Sequence, residues 1–228
     1  MKLSRINPLR PCQNDSNISN LDACIYALDF SSWKRSVVRQ CFPDAQVVFI
    51  SNTVDVPEGG ILAVWGLKPV SGKLATKVKL IRLEDGFLRS VGLGADLIRP
   101  MSWVADGHGI YYDATRPSDL EYLLSNNIFS ADLLKRAAVL RARLVVEGVT
   151  KYNVGIEAWQ RPVQLEKVIL VPGQVESDAS LAYGAPGICT NMGLLQATRL
   201  ANPSAYIVYK PHPDVIAGLR SKGVGESE

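Results

Sequence analysis

Three short polar clusters have the residue types and spacing that general-base chemistry beside a phosphate would use. Glu84-Asp85-Gly86 sets two carboxylates side by side next to a flexible glycine. Neighbouring carboxylates raise one another's pKa, which suits a general base, and the same pair also suits a turn or a helix cap. Pro172-Gly173-Gln174 leads to Asp178, whose place before a helical stretch fits a residue that caps free backbone amides. In Lys210-Pro211-His212-Pro213 a proline on each side restricts the backbone to extended geometry. The imidazole of His212 is therefore held on a stiff support with Lys210 beside it, an arrangement that suits a phosphate.

These clusters need a scaffold, and the apolar pattern supplies one. Runs rich in β-branched residues alternate with helical periodicity, the signature of a parallel sheet covered by helices. Strands are predicted at residues 24–28, 46–50, 61–65, 78–83 and 109–112, then at 167–171 and 205–209. Ser31 or Ser32 can cap a helix carrying Trp33, Val37 and Cys41 on one face, which Pro43 ends. Ser118 and Glu121 form a capping box for a helix to about 124. A longer helix spans 130–147, with Leu133, Leu134, Ala137, Leu140, Leu144 and Val145 as its apolar stripe, its basic residues on a solvated face and Gly148 as its stop. Another runs from Thr190 or Asn191 to 201. Ligands of open α/β sheets collect beyond the carboxyl ends of strands, and each cluster follows a predicted strand. Pro162, in a polar stretch, marks the domain boundary: residues 1–20 read as a flexible leader, 21–160 as one Rossmann-like lobe, and 161–228 as part of a second.

Composition narrows the function further. The chain is 47% hydrophobic and 21% charged with a net charge of +3, a balance that gives no reason to expect nucleic acid as a partner. Cys12, Cys24, Cys41 and Cys189 lack metal-knuckle spacing, and His108 and His212 are the only histidines, so a His-rich metal site is not expected. His108 reads as a turn residue. No apolar run reaches the roughly 18 to 20 residues of a membrane span. Gly92-Leu93-Gly94 lacks the third glycine of a dinucleotide fingerprint and does not follow the first strand. Trp65, Trp103, Tyr111 and Tyr112 read as core aromatics.

Five blocks taken in order carry a family resemblance: the run from Leu83 through Glu84-Asp85-Gly86 to Gly94, Gly109-Ile110-Tyr111-Tyr112-Asp113, Lys151-Tyr152-Asn153, Val171-Pro172-Gly173-Gln174-Val175-Glu176-Ser177-Asp178, and Tyr209-Lys210-Pro211-His212-Pro213-Asp214. Together they resemble capsule polysaccharide biosynthesis proteins of the KpsC type, retaining β-Kdo transferases of Gram-negative bacteria. The resemblance implies a GT-B-like pair of Rossmann-like lobes, one of two tandem modules. The Gly92-Leu93-Gly94-Ala95-Asp96 wording leans toward the second module, with its second lobe expected to be incomplete. It also implies transfer of Kdo from CMP-Kdo to a lipid-linked Kdo acceptor built on phosphatidylglycerol, at the cytoplasmic face of the inner membrane and alongside capsule assembly proteins. No cofactor or metal is expected.

Carried over residue by residue, the resemblance makes Asp178 the nucleophile at the anomeric carbon and Glu84, or else Asp85, the base for the acceptor hydroxyl. His212 then stabilises the departing cytidylate phosphate, with Lys210 as supporting charge. Gln174 and Pro213 join Lys210 in substrate binding, and Arg89 is the candidate for a sugar carboxylate. Two rival readings share these residues: a non-catalytic interaction module of capsule assembly, and an inverting, sialyltransferase-like enzyme that uses a CMP-sugar without needing Asp178.

Overall fold

The computed structural model describes residues 24–155, 159–185 and 187–226, so the expected leader at 1–20 lies outside the described residues. Strands β1 (Cys24–Leu28), β2 (Gln46–Ile50), β3 (Ile61–Trp65), β4 (Lys79–Asp85) and β5 (Trp103–Asp106) form one sheet in the order β2-β1-β3-β4-β5. The first four are parallel and β5 runs antiparallel against β4. Strand β3 is apolar throughout, as a central strand covered on both faces must be.

Alternation along these strands builds two apolar layers. On one face Ile25, Ala27, Ala63 and Leu83 pack with Phe30 and Val38, the latter from helix α1 (Ser32–Cys41). Leu28, Leu62 and Val64 face the other way, where loop residues Val56, Val70, Leu74 and Val78 cover them in place of a helix. Parallel pairing of β3 with β4 is thus achieved by a crossover that contains no helix.

The strand expected at 109–112 is a turn, and β5 lies just before it. Asp106, 1% exposed, decides this: its Oδ1 accepts the amides of His108 (2.9 Å) and Gly109 (2.7 Å), and its Oδ2 accepts the amide of Asp119 (3.0 Å). Those bonds fold the chain back at the strand end, and a methyl group on Gly109 would meet the Pro117 carbonyl at 2.5 Å. Helix α2 (Asp119–Asn126) then begins, with Ser118 Oγ accepting the Glu121 amide at 3.1 Å. Helix α3 (Ala131–Val146) is capped by Ser130 and ends at Gly148, whose φ of 62° is the left-handed turn that glycine adopts freely. Its apolar stripe is only partly covered among the described residues: Leu133 and Leu144 are half-buried, while Leu134, Leu140 and Val145 are exposed.

Beyond it, β6 (Val168–Pro172) and β7 (Tyr206–Lys210) pair in parallel. They are joined through α4 (Ala179–Gly184) and α5 (Asn191–Ala201), and α6 (Pro213–Ile216) follows β7. This is the expected βαβ unit with one extra helical turn. The two sheets meet where the Ala114 amide donates to the Tyr183 carbonyl (3.0 Å) and where Gly184 lies so close to the Tyr112 carbonyl that a methyl group would stand 2.6 Å from it. Among the described residues no helix is long and apolar enough to cross a membrane.

Candidate active site

Glu84 and Asp85 are the last two residues of β4, inside the strand where the sequence placed them after it; they pair with Val104 and Trp103 of β5. Neighbours in a strand point to opposite faces, so the two carboxylates have separate surroundings. Glu84 is half-buried. Its Oε1 accepts the Asp85 amide at 2.9 Å and its Oε2 accepts the Tyr112 hydroxyl at 3.3 Å. Gly66, with φ 54°, leaves the space for this pair: a methyl group there would stand 2.9 Å from the Tyr112 hydroxyl and 3.2 Å from Glu84 Oε2. Burial pushes the Glu84 carboxyl above the ordinary range and the charge of Asp85 adds to it, while the Asp85 amide, the Lys34 ammonium and the Tyr112 hydroxyl pull the other way. A carboxylate raised in this manner is suited to accept a proton near neutrality.

Asp85 is engaged differently. Its Oδ2 accepts Arg89 Nε at 2.5 Å, and the Arg89 side chain is 2% exposed. Arg89 Nη1 donates to Ser90 Oγ at 3.0 Å, which in turn donates to the Gly92 carbonyl at 2.7 Å. A methyl group on Gly94 would come within 2.9 Å of Arg89 Cζ, so Gly92-Leu93-Gly94 serves to wrap a buried guanidinium. Arg89, the residue expected to reach a sugar carboxylate, thus has its charge committed to Asp85. Replacing it by methionine should strand Asp85 and lower unfolding stability by about 2 kcal/mol, less than the roughly 3 to 5 kcal/mol of a fully buried pair because Asp85 keeps partial solvent access. A urea melt of Arg89→Met checks this, and unchanged stability with weakened substrate binding would restore the ligand role.

Tyr111 and Tyr112 connect this corner to the second sheet. Their rings meet edge to face at 5.3 Å. Burial pushes the Tyr111 hydroxyl up to about 12, aided by Glu84, Asp85, Tyr152 and Asp178. The Tyr112 hydroxyl is raised by burial and then by Glu84, with Asp178 again contributing. Of the two phenols, that of Tyr112 is the one that touches an acid, through its bond to Glu84.

Asp178 is exposed and stands at the N-cap of α4, where its Oδ1 accepts the Ser180 amide at 2.8 Å. The capping role read from the sequence is present, and its second oxygen is left for other chemistry. His212 stands at the N-cap of α6 with φ −63° and ψ 138°, the extended backbone that its flanking prolines impose, and Pro213 is the first helical residue. Its Nδ1 accepts the Asp214 amide at 3.2 Å. That bond needs the Nδ1 lone pair, so the neutral ring carries its proton on Nε2. Burial lowers the His212 pKa, which favours this neutral donor form, although Asp214 and Asp178 oppose it. Its ring lies 6.3 Å from that of Tyr152.

Lys210 ends β7 with an exposed side chain, and its carbonyl accepts the Gly173 amide at 2.8 Å. Gln174 is exposed, with its backbone clamped on both sides by Asn191: amide to Oδ1 and Nδ2 to carbonyl, each at 2.9 Å. Asn191, 5% exposed, thus does more than open the helix its position suggests. A further group that the sequence did not single out is Lys34 of α1, whose Nζ sits 3.2 Å from the centroid of the Trp65 ring. Burial lowers it to about 8 against the opposing pull of Asp85 and Glu84. Among the described residues no group of three His, Cys, Asp or Glu side chains is placed to hold a metal ion.

A Rossmann-like sheet with an acid at a strand end, joined to a βαβ unit that presents Asp178 and a His-Pro turn, defines a GT-B-like α/β fold, and solved structures bear this out. The chain superposes on Thermosulfurimonas dismutans KpsC, beta Kdo 2,7 transferase, with 40% identity and a TM-score of 0.67, covering 86% of this chain and 63% of that one. Against the beta Kdo 2,4 transferase of the same organism's KpsC the values are 32%, 0.72, 89% and 65%. The family model for capsule polysaccharide biosynthesis protein matches residues 61–154 and 130–226. The chain belongs to that family. Capsule polysaccharide modification protein LipA of Neisseria meningitidis is 42% identical over 210 residues, which are 86% of this chain, and lipopolysaccharide-processing protein LpsZ of Rhizobium meliloti is 35% identical over 209 residues, which are 83% of it. The chain spans 29% of LipA and 47% of LpsZ.

Proposed function

We propose that the chain is a Kdo transferase of capsule polysaccharide assembly, taking Kdo from CMP-Kdo and passing it, with retained anomeric configuration, to a lipid-linked Kdo acceptor. The observation that carries this is that Tyr112, whose hydroxyl donates to Glu84 Oε2 at 3.3 Å, also has its carbonyl packed against Gly184 at the end of the helix that Asp178 caps, which brings the acid of one sheet beside the helix that carries the candidate nucleophile. In the first step an Asp178 carboxylate oxygen attacks the anomeric carbon as its bond to the cytidylate oxygen breaks, and the leaving phosphate accepts a hydrogen bond from His212 Nε2. The acceptor hydroxyl then attacks the same carbon, giving its proton to Glu84 and releasing Asp178. Two inversions restore the starting configuration.

Lys210 and His212 supply the charge and the donor for the phosphate without a metal ion, and the Gln174 and Pro213 backbones shape the donor side. A cavity of about 620 Å³ bordered by Tyr111, Tyr112, Leu124, Ser180 and Gly184 offers room on the acceptor side. We place the lobe division near residue 160, and the protein at the cytoplasmic face of the inner membrane among capsule assembly proteins, where a phosphatidylglycerol-linked acceptor is presented.

Incubation with CMP-Kdo and a soluble Kdo-terminated acceptor, with and without EDTA, tests the reading. A Kdo-extended product that keeps the donor's configuration and forms equally in EDTA is expected. An inverted product, or no transfer at all, overturns it.

A further inference from the structure

Beyond Gln174 the chain makes a tight turn that ends on Asp178: the Val175 carbonyl accepts the Asp178 amide at 2.9 Å, with Glu176 and Ser177 at the corner. Val175, 6% exposed, anchors the start of the turn in the interior. Glu176 anchors the corner. Its Oε1 accepts the Asn191 amide at 2.7 Å, and its Oε2 accepts the Val224 amide at 3.2 Å. The two donors come from separate parts of the chain, the first residue of α5 and a stretch past α6. That stretch is itself tied down. Glu226 Oε1 accepts the Tyr209 hydroxyl at 2.8 Å and also bonds Asn191 Nδ2, and Gly223 lies so close to the Glu176 carboxylate that a methyl group there would displace it. Asn191 meanwhile clamps the Gln174 backbone, so the turn is held at Gln174, Val175 and Glu176 before it reaches Asp178. In the mechanism above Glu176 has no part.

We propose that Glu176 is a positioning residue for the nucleophile: by bonding α5 on one side and the 223–226 stretch on the other, its carboxylate holds the 175–178 turn so that Asp178 is presented to the anomeric carbon. This rests on the reading of Asp178 as the nucleophile. The physical need follows from the place of Asp178, which is exposed and whose hydrogen bonds run to the turn and to α4. Helix α4 has six residues, and so short a helix lends little rigidity of its own, since helices below about 12 residues are marginal without packing. An attacking oxygen misplaced by about 1 Å costs on the order of a hundredfold in rate. Glu176 meets this need with an acceptor on each of two backbone amides, and hydrogen bonds to an ionised acceptor are about twice as strong as neutral ones.

A plainer role for Glu176 is a cap for α5. That helix already has one, because Thr190 Oγ1 accepts the Gly193 amide at 3.1 Å. Glu176→Ala and Glu176→Gln in the full chain separate the two roles, the glutamine keeping one oxygen acceptor and so one of the two bonds. Amide hydrogen exchange followed by NMR reads the turn without any turnover. The Asp178 amide should exchange about tenfold faster or more in Glu176→Ala, while the α5 amides from Leu194 onward keep their protection. On rapid quench with CMP-Kdo, formation of the Asp178 adduct should slow by about a hundredfold in Glu176→Ala and by less in Glu176→Gln, with CMP affinity by calorimetry unchanged within about twofold. A capping role predicts faster exchange through α5, a lower melting temperature, and a parental rate of adduct formation per folded molecule, and that pattern overturns the proposal. An Asp178 amide that exchanges at the parent rate overturns it as well. If that amide loses its protection while Asp178→Asn still transfers Kdo, the hold on the turn stands and the assignment of Asp178 as the nucleophile falls.

Discussion

Asp178→Asn leaves the fold intact and removes transfer. Its capping bond to the Ser180 amide uses one side-chain oxygen, and the asparagine carbonyl can make the same bond. Asn and Asp rank together as helix caps, so a purely structural Asp178 predicts normal melting and normal activity in the variant. An amide, however, is no nucleophile toward an anomeric carbon. We expect turnover to fall by about four orders of magnitude or more, as when other covalent nucleophiles are removed, with a thermal transition indistinguishable from the parent. Brief exposure of the parent chain to CMP-Kdo should add the mass of one Kdo to the peptide containing Asp178, and the Asn variant should gain nothing there. Substantial activity in the variant, or an adduct on another residue, removes the retaining mechanism and leaves the family membership standing.

Glu84→Gln should split the reaction in two. The substitution keeps an oxygen for the Asp85 amide and a polar end for the Tyr112 hydroxyl, so the strand end is retained. The base acts only on the acceptor, after the donor bond has broken. Multiple turnover is therefore expected to drop by about a hundred- to ten-thousandfold, the usual contribution of a positioned base, while the first half-reaction continues. Rapid-quench mass spectrometry should then find the Asp178 adduct accumulating in Glu84→Gln beyond its level in the parent, along with one equivalent of released CMP. Loss of the adduct in this variant would mean that Glu84 serves donor cleavage, contrary to its assignment. Because burial raises the Glu84 carboxyl, the parent's activity should also fall on acidification above the pH range of an ordinary carboxylate.

Where local pattern decides structure, the sequence was a sufficient guide. The spans 46–50 and 61–65 were read as the strands they form, and Asn191–Ala201 as its helix, because dense apolar runs and a capping Thr190 act over a few residues. Strand β5 was missed for the opposite reason. Trp-Val-Ala-Asp is short, and what fixes it is pairing with β4 together with Asp106 gathering amides as distant as that of Asp119. The site shows the same division. Motif order located Glu84, Asp178 and His212, but nothing local reveals that Arg89 is buried on Asp85, that Tyr112 reaches Glu84 across 28 positions, or that Lys34 returns to the ends of β3 and β4. Those facts depend on which strands become neighbours. Residue type alone suggests an arginine for a ligand and a tyrosine for a core, whereas Arg89 is buried on Asp85 and Tyr112 is half-buried against Glu84.

The segment after Gly148 looks like a place to divide the protein, since a long helix has just ended and, among the described residues, no helix or strand follows before β6. Its hydrogen bonds argue against cutting there. The Lys151 carbonyl accepts the amides of both Arg89 (2.9 Å) and Ser90 (3.1 Å), the Tyr152 carbonyl accepts that of Gly92 (2.8 Å), and Asn153 Nδ2 donates to the Ser90 carbonyl (3.0 Å). Expression boundaries drawn at the end of α3 would deprive three loop amides of their acceptors and loosen the wrapping around the buried guanidinium, whereas a piece carried through Asn153 keeps every one of these bonds. A boundary that respects the first sheet's loop contacts therefore lies several residues inside what the eye takes for a tether.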